Sequence, residues 1–443
     1  MGDFAYNSSM RFTTPEPAEL LPRIIPRPQH TVSRKDIDLE ALKVLYRLLH
    51  AGYTVYLVGG GVRDLLLGKR PKDFDVVTNA RPGELRKLFR NSRIIGRRFR
   101  LVQVFFHGGR IVEVSTFRRR SEFEEEPDQE GAPGREQTFG TPAEDAERRD
   151  LTINALFYDI TDFSLVDYVG GLTDLEDRVI RVIGDPAVRF ESDPVRMLRT
   201  LRHAGRTGFT IETGAWQEIL SKGHLIRRCP PARVRDELLK DFRSAAAGPF
   251  FHLMLSSALF YCIFPPWEER LGRSGEARLL ALCRRLDLLM LGERHASDSL
   301  LWAVFLTPFL EQGPHFPEDF KELRDFIHEG IKKALGGIEF PRQRHDDVSQ
   351  ILALEARIAP LLRDQRPLPA RLARLALYPE AWMLFQIKEA PETELLERCA
   401  PDQVPPRPPQ ARAARPGRRR TRRHRRRRGG GRGVEKDNLG GEG

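Results

Sequence analysis

One stretch, LVGGGVRDLLLGKRPKDFDVV from Leu57 to Val77, constrains this chain more than any other. It begins inside a β-branched and aromatic run, Tyr53–Val58, which reads as a strand. Gly59, Gly60 and Gly61 then stand between that strand and a short helical segment closed by Gly68. A second strand, Asp73–Val77, follows at once. Glycines at a strand-to-helix turn let backbone approach an anion closely, and the first N–H groups of the helix favour negative charge. A purely structural tight turn would use the same residues, so the glycines alone do not decide. Two familiar phosphate motifs are excluded. A Walker loop fails because Arg70 follows Gly68 and Lys69 and no glycine stands five residues before Gly68. A dinucleotide fingerprint fails because its third glycine is missing.

Asp73 and Asp75 frame Phe74 in the second strand. Strand side chains alternate, so acids at i and i+2 share a face. Like charges held side by side are costly unless a cation lies between them. An oxygen-only donor set of this kind suits Mg²⁺, completed by water and substrate phosphate. Paired acids also occur as solvated turn residues. The glycine turn about twelve residues earlier is what favours a metal site here.

Helical periodicity marks Asp38–His50 before this unit and Pro82–Phe89 after it. Leu101–Phe106 and Ile111–Thr116 read as further strands around the turn His107-Gly108-Gly109. Residues 120–147 are acidic and aperiodic, a surface-loop pattern. From about residue 171 the pattern is helical, with segments at Asp193–Thr207, Glu212–Ser221, Ala232–Ala246 and Gly248–Leu259. The expected architecture is α+β. An N-terminal arm (1–36) precedes an α/β unit (37–170), then two helical stretches (171–265 and 266–400). A disordered Arg-rich C-terminus (401–443) closes the chain.

The net charge of +11 belongs to that last segment. Between Arg407 and Arg432 there are 13 arginines and no acids, and removing them leaves 60 basic against 62 acidic residues. A disordered polycation binds RNA phosphates without sequence preference. The four cysteines (Cys229, Cys262, Cys283, Cys399) form no CxxC pair and read as reduced thiols. No apolar run is long enough for a membrane span, and the N-terminus lacks a secretory pattern. A cytoplasmic protein is expected.

Several segments, taken in order, make the pattern specific. Leu57–Pro82 looks like the signature of the bacterial poly(A) polymerase and class II tRNA nucleotidyltransferase family, within the polymerase β superfamily. IVEVSTFR (Ile111–Arg118), RRDLTINAL (Arg148–Leu156), DYVGGLTDLEDRVIRVIGDP (Asp167–Pro186) and ESDPVRMLRTLR (Glu191–Arg202) resemble the motifs that follow it in that family. The resemblance covers about residues 37–265. It implies that residues 37–170 form a polymerase β-like catalytic head with a mixed sheet, 171–265 a neck and 266–400 a body and tail, and that the chain extends RNA 3′ ends without a template. Asp73 and Asp75 would hold two Mg²⁺ ions, and Asp150 would be a third essential acid, with Glu113 its rival. Gly59, Gly60 and Arg63 would cradle the triphosphate, and Arg149 would contact the nucleotide. Asp193 and Arg196, three residues apart on one helix face, would read the base, with Arg199 reaching base or phosphates. The family usually has Glu before that aspartate; here Ser192 stands in its place.

The basic run Ile94–Val104, with Gln103 at a usual histidine position, and the Arg-rich tail resemble the poly(A) polymerase branch. Polyadenylation from ATP is therefore the expected activity. CCA addition to tRNA is the alternative, and an idle RNA-binding relative is the reading from another class. The paired aspartates speak against the last.

Overall fold

The computed structural model describes residues 21–96, 100–119, 139–292, 294–313 and 316–400. The expectations for residues 1–20, 120–138 and 401–443, the Arg-rich tail among them, lie outside the described residues.

The N-terminal third is built on one eight-stranded mixed sheet. Its strands are β1 (Arg23–Ile25), β2 (Val55–Val58), β3 (Asp75–Thr78), β4 (Ser92–Ile95), β5 (Leu101–Phe105), β6 (Ile111–Thr116), β7 (Leu156–Asp159) and β8 (Leu165–Asp167), in the order β1-β8-β7-β2-β3-β6-β5-β4. Only β3 and β6 run parallel; the other neighbours in this sheet are antiparallel. That one parallel pairing matters because it sets Asp75 level with Glu113.

Helix α1 (Leu39–His50) begins where the Asp38 carboxylate accepts from the Glu40 amide at 2.9 Å. Its Ala41, Val44, Leu45 and Leu48, at helical spacing, are buried against the sheet. Helix α2 (Gly60–Leu66) connects β2 to β3, and α3 (Pro82–Leu88) follows β3 with Pro82 at its first turn. Helix α4 (Pro142–Glu147) starts in a capping box between Thr141 and Glu144, and α5 (Gly171–Glu176) follows β8.

The remainder is almost entirely helical. Helices α6 (Pro186–Ser192), α7 (Val195–Thr207), α8 (Thr213–Lys222) and α9 (Pro231–Phe242) succeed one another, and longer helices such as Glu268–Leu291 and Arg342–Arg363 complete the body. One apolar core runs without interruption from Val44 and Val76 under the sheet through Leu198 and Leu238 to Leu282, Phe305 and Ile351. Trp267 and Trp302 are buried in it, and Trp382 is half-buried.

Four expectations change. Part of the supposed arm is structured, since Arg23–Ile25 forms an edge strand on β8. The loop read over 120–147 ends early, because residues 142–147 fold as α4 on the strength of the capping box. The strand read as Asp73–Val77 begins at Asp75, leaving Asp73 just before it. Asp193 also precedes its helix instead of opening it, with φ −147° and ψ 87°.

The segment after α4 is clamped by α5. A Cβ at Gly171 would lie 2.2 Å from the Thr152 carbonyl oxygen, and Thr152 Oγ1 donates to Asp174 at 2.7 Å. Gly171→Ala must therefore displace backbone two residues from Asp150. We expect a loss of about 1–3 kcal/mol, read as a lowered urea midpoint. Gly83→Ala, whose Cβ meets nothing within 4 Å, is the neutral control.

Candidate active site

Gly59 makes the junction between β2 and α2 with φ 81° and ψ −148°, a conformation that costs side-chain-bearing residues dearly. A Cβ there would lie 3.3 Å from Asp75 Oδ2 and 3.8 Å from Arg149 Nη1. A Cβ on Gly61 would meet the Asp73 carbonyl at 3.2 Å and the Phe74 ring at 3.4 Å. The glycine turn is thus packed directly on the Asp73-Phe74-Asp75 edge, with Arg149 beside it.

Asp75 pairs with Val58 on one side and Glu113 on the other. Its carboxyl is open to solvent yet crowded by protein, and it is pushed up to about 6, by burial first and then by the charge of Asp73. Glu113 adds to the rise and Arg149 opposes it. Of the two rivals for a third acid, Glu113 is therefore the one whose charge bears on Asp75; it accepts from Gln103 Nε2 at 2.9 Å.

Asp150 stands in a different environment. Burial would raise its carboxyl, but Arg196 and Arg199 hold it below the usual carboxylate range. Arg199 Nη1 donates to Asp150 Oδ2 at 2.6 Å and Arg196 Nη1 donates to Oδ1. Arg199 also meets Glu237 of α9 at 3.1 Å. Arg149 is oriented from below by the buried Asp145, at 2.8 Å from its Nη2.

Asp193 and Arg196 come together although Asp193 lies outside α7. Arg196 Nε stands 3.7 Å from Asp193 Oδ2, which accepts from Arg233 at 2.7 Å. Asp193 Oδ1 and Arg196 Nε are both buried without a hydrogen-bond partner. An unpaired acceptor beside an unpaired donor is costly unless a ligand completes it. Ser192, where the family usually has Glu, turns back and donates to the Arg189 carbonyl at 3.1 Å.

Arg63 is not where the sequence suggested. Its side chain is fully buried and points away from solvent, with Nε and Nη2 on Asp64 Oδ1 at 3.0 and 2.7 Å and Nη1 on Asn154 Oδ1 at 2.6 Å. Its Nη1 also lies 3.1 Å from Nδ1 of His203 on α7. Burial, reinforced by the surrounding arginines, lowers the His203 pKa well below its ordinary value. Arg63 therefore supports Gly60 from behind, where an added Cβ would meet its Nη2 at 3.4 Å. Asp64, Asn154, His203, Arg206 and Glu237 were not singled out from the sequence. The signal for two of them was present, because Arg196, Arg199, His203 and Arg206 recur at three- and four-residue spacing on one helix face.

Among the described residues, no group of three or more His, Cys, Asp or Glu side chains forms a closed metal cage. The arrangement is instead an open pair of carboxylates beside a glycine turn, in keeping with a cation that shares its shell with phosphate.

The sequence of this chain matches two known families. The poly A polymerase head domain covers residues 55–181, and the probable RNA and SrmB-binding site of polymerase A covers residues 208–271. Poly(A) polymerase I of Escherichia coli O157:H7 is 40% identical over 374 residues, 82% of this chain and 78% of that protein. The chain belongs to the poly(A) polymerase and CCA-adding nucleotidyltransferase family. It is a nucleotidyltransferase. The CCA-adding enzyme of Lactobacillus johnsonii is 33% identical over 292 residues, 65% of this chain and 68% of that one. The Bacillus stearothermophilus CCA-adding enzyme, solved with CTP, shares the fold at a TM-score of 0.58 and 24% identity, covering 81% of this chain and 80% of its own.

The raised Asp75 carboxyl has a sign that can be checked. Its charged form is penalised in the fold, so Asp75→Asn should raise the melting temperature of metal-free protein at pH 7.5. The gain should shrink as pH falls through about 6 and vanish below the ordinary carboxylate value, where both states are protonated. A melting series from pH 7.5 to 3.5 reads this out.

Proposed function

We propose that this nucleotidyltransferase adds AMP units from ATP to RNA 3′ ends without a template, releasing pyrophosphate, and that it works in the cytoplasm. What supports selection of the base without a template is the buried acceptor–donor couple of Asp193 Oδ1 and Arg196 Nε on the neck, neither of which makes a hydrogen bond. An adenine edge offers the converse couple, an amino donor beside a ring-nitrogen acceptor. Protein side chains can then select the base that in other polymerases a template strand selects.

Asp73 and Asp75 fit Mg²⁺: hard oxygen donors whose mutual repulsion a divalent cation would relieve. Two bound Mg²⁺ would lower the pKa of the RNA 3′-hydroxyl and stabilise charge on the transferring and leaving phosphoryl oxygens. Gly59 and Gly60 leave room for phosphate against the backbone, and Arg149, fixed by Asp145, brings a permanent charge to the same point. Asp150 holds Arg196 and Arg199 facing the head. The thirteen arginines of the C-terminal segment would bind RNA backbone and raise local RNA concentration.

The choice of polyadenylation over CCA addition rests on the longer and more identical match to poly(A) polymerase I. A second reading stays open for a specific reason. Cytosine presents the same amino donor and ring acceptor as adenine, so the Asp193–Arg196 couple fits CTP as well.

Incubation with unstructured RNA, Mg²⁺ and each NTP singly should give an adenosine ladder with ATP alone. Asp73→Asn or Asp75→Asn should reduce extension by about 10³-fold or more. Absence of Mg²⁺-dependent extension sinks the enzyme reading. Addition of C, C and A to truncated tRNA followed by a stop replaces polyadenylation with the alternative.

A further inference from the structure

Helix α7 carries the base-reading couple at one end and a separate attachment to the head at the other. At its N-terminal end Arg196 and Arg199 grip Asp150. Near its C-terminal end Arg206 Nη2 donates to Asp64 Oδ2 at 2.7 Å, with the Asp64 side chain only 6% exposed. Asp64 is held in turn through its other oxygen by the buried Arg63. His203, one turn before Arg206, sits between Arg63 at 3.1 Å and the Asn154 amide at 3.2 Å. Asp64 and Arg63 belong to α2, whose N-terminus is the glycine turn. One end of the base-reading helix is therefore fastened to the helix that frames the phosphate turn.

The two attachments differ in kind. Arg196 Nε is the atom the base would use, while its Nη1 holds Asp150. The Asp64–Arg206 pair lies outside the reading couple. Arg206 lies ten residues beyond Arg196, about 15 Å along an α-helix. Over that lever, a tilt of about 4° moves the reading couple by about 1 Å, enough to spoil a hydrogen bond to a base edge.

We propose that Asp64 and Arg206 are positioning residues for base discrimination. They fix the height of the Asp193–Arg196 couple above the glycine turn, so that a base of one depth satisfies both atoms and a base of another does not. Neither residue touches the nucleotide. The inference rests on the proposed role of Asp193 and Arg196, and it concerns selectivity where that reading concerns activity.

The test compares kcat/KM for ATP and CTP in single-nucleotide extension by the full chain, for the wild type, Arg206→Ala and Arg206→Lys, with melting temperatures alongside. Equilibrium binding of ATP and of CTP provides a second measure should extension by a variant be too slow to follow. Arg206→Ala should lower the ATP-to-CTP ratio about tenfold or more, chiefly through KM. Arg206→Lys, which keeps the charge on Asp64, should recover most of it. An Arg206→Ala enzyme that slows equally on both nucleotides, keeping the wild-type ratio in rate and binding, overturns the proposal. So does an Arg206→Lys enzyme as unselective as the alanine variant, since the ion pair would then not be the cause. A wild type that extends RNA with neither nucleotide defeats the functional reading first, and the two failures are told apart by the wild-type lane alone.

Discussion

The repulsion between two carboxylates at the start of a central strand is the constraint on which the site depends. Asp75 opens β3 next to Gly59, with Asp73 before it and Glu113 level with it on β6. Three acids converge there, and Arg149 alone moderates the Asp75 charge. A fold selected only for stability would not retain such an edge, because neutral residues of similar shape would remove the penalty. The stability forgone is recovered elsewhere, in the uninterrupted apolar core that runs from the sheet into the helical body. The proposed chemistry would demand the converse of what the core supplies: charge left without a partner for a cation and a triphosphate to meet.

The neck answers that excess of acid with a ladder of arginines. Arg196 and Arg199 satisfy Asp150, Arg202 pairs with Glu237 and Asp241, and Arg206 reaches Asp64. Burial would raise Glu237, but Arg202, Arg199 and Lys240 hold it down at about 2. Asp241 is so deeply enclosed that burial outweighs Arg202 and pushes it up to about 7. Breaking one member of such a network strands a buried charge, so the cost of removal exceeds the net worth of any single pair. The consequence is a network of interlocked ion pairs where the head meets α7, the arrangement that the proposed template-free selection would require.

Much of this was legible in the sequence, for identifiable reasons. The strand, glycine turn and DxD pair announce themselves because the chemistry needs fixed residue types at fixed spacing. Strands followed by helices were legible from β-branched runs giving way to helical periodicity, while the mixed sheet followed from the family resemblance. What was missed depended on tertiary partners. Arg63 reads as an exposed phosphate ligand until Asp64, Asn154 and His203 are seen to enclose it. Arg23–Ile25 lacks any strand pattern of its own and becomes one only by pairing with β8. Asp193 reads as the first residue of a helix, yet a residue before proline is pushed out of the helical region, and its backbone stands at φ −147° and ψ 87°. Even so, the pairing with Arg196 survives, because the Asp193 carbonyl accepts from the Arg196 amide at 3.0 Å and fixes the turn.

Base choice is the least local property of the site. An acceptor beside a donor separates adenine and cytosine, which offer an amino group and a ring acceptor, from uracil and guanine, which offer the reverse. It cannot separate adenine from cytosine, since both satisfy it. The remaining difference is depth: a purine carries its pairing edge farther from the sugar than a pyrimidine does. On the proposed reading, a triphosphate held at Gly59 would leave the distance from that turn to the Asp193–Arg196 couple to decide which ring spans the gap. That distance is set by how α7 sits on the head, not by the couple itself. If α7 reads the base, residues remote from the nucleotide, at the junction of α2 and α7, are where the choice between adenine and cytosine would be written.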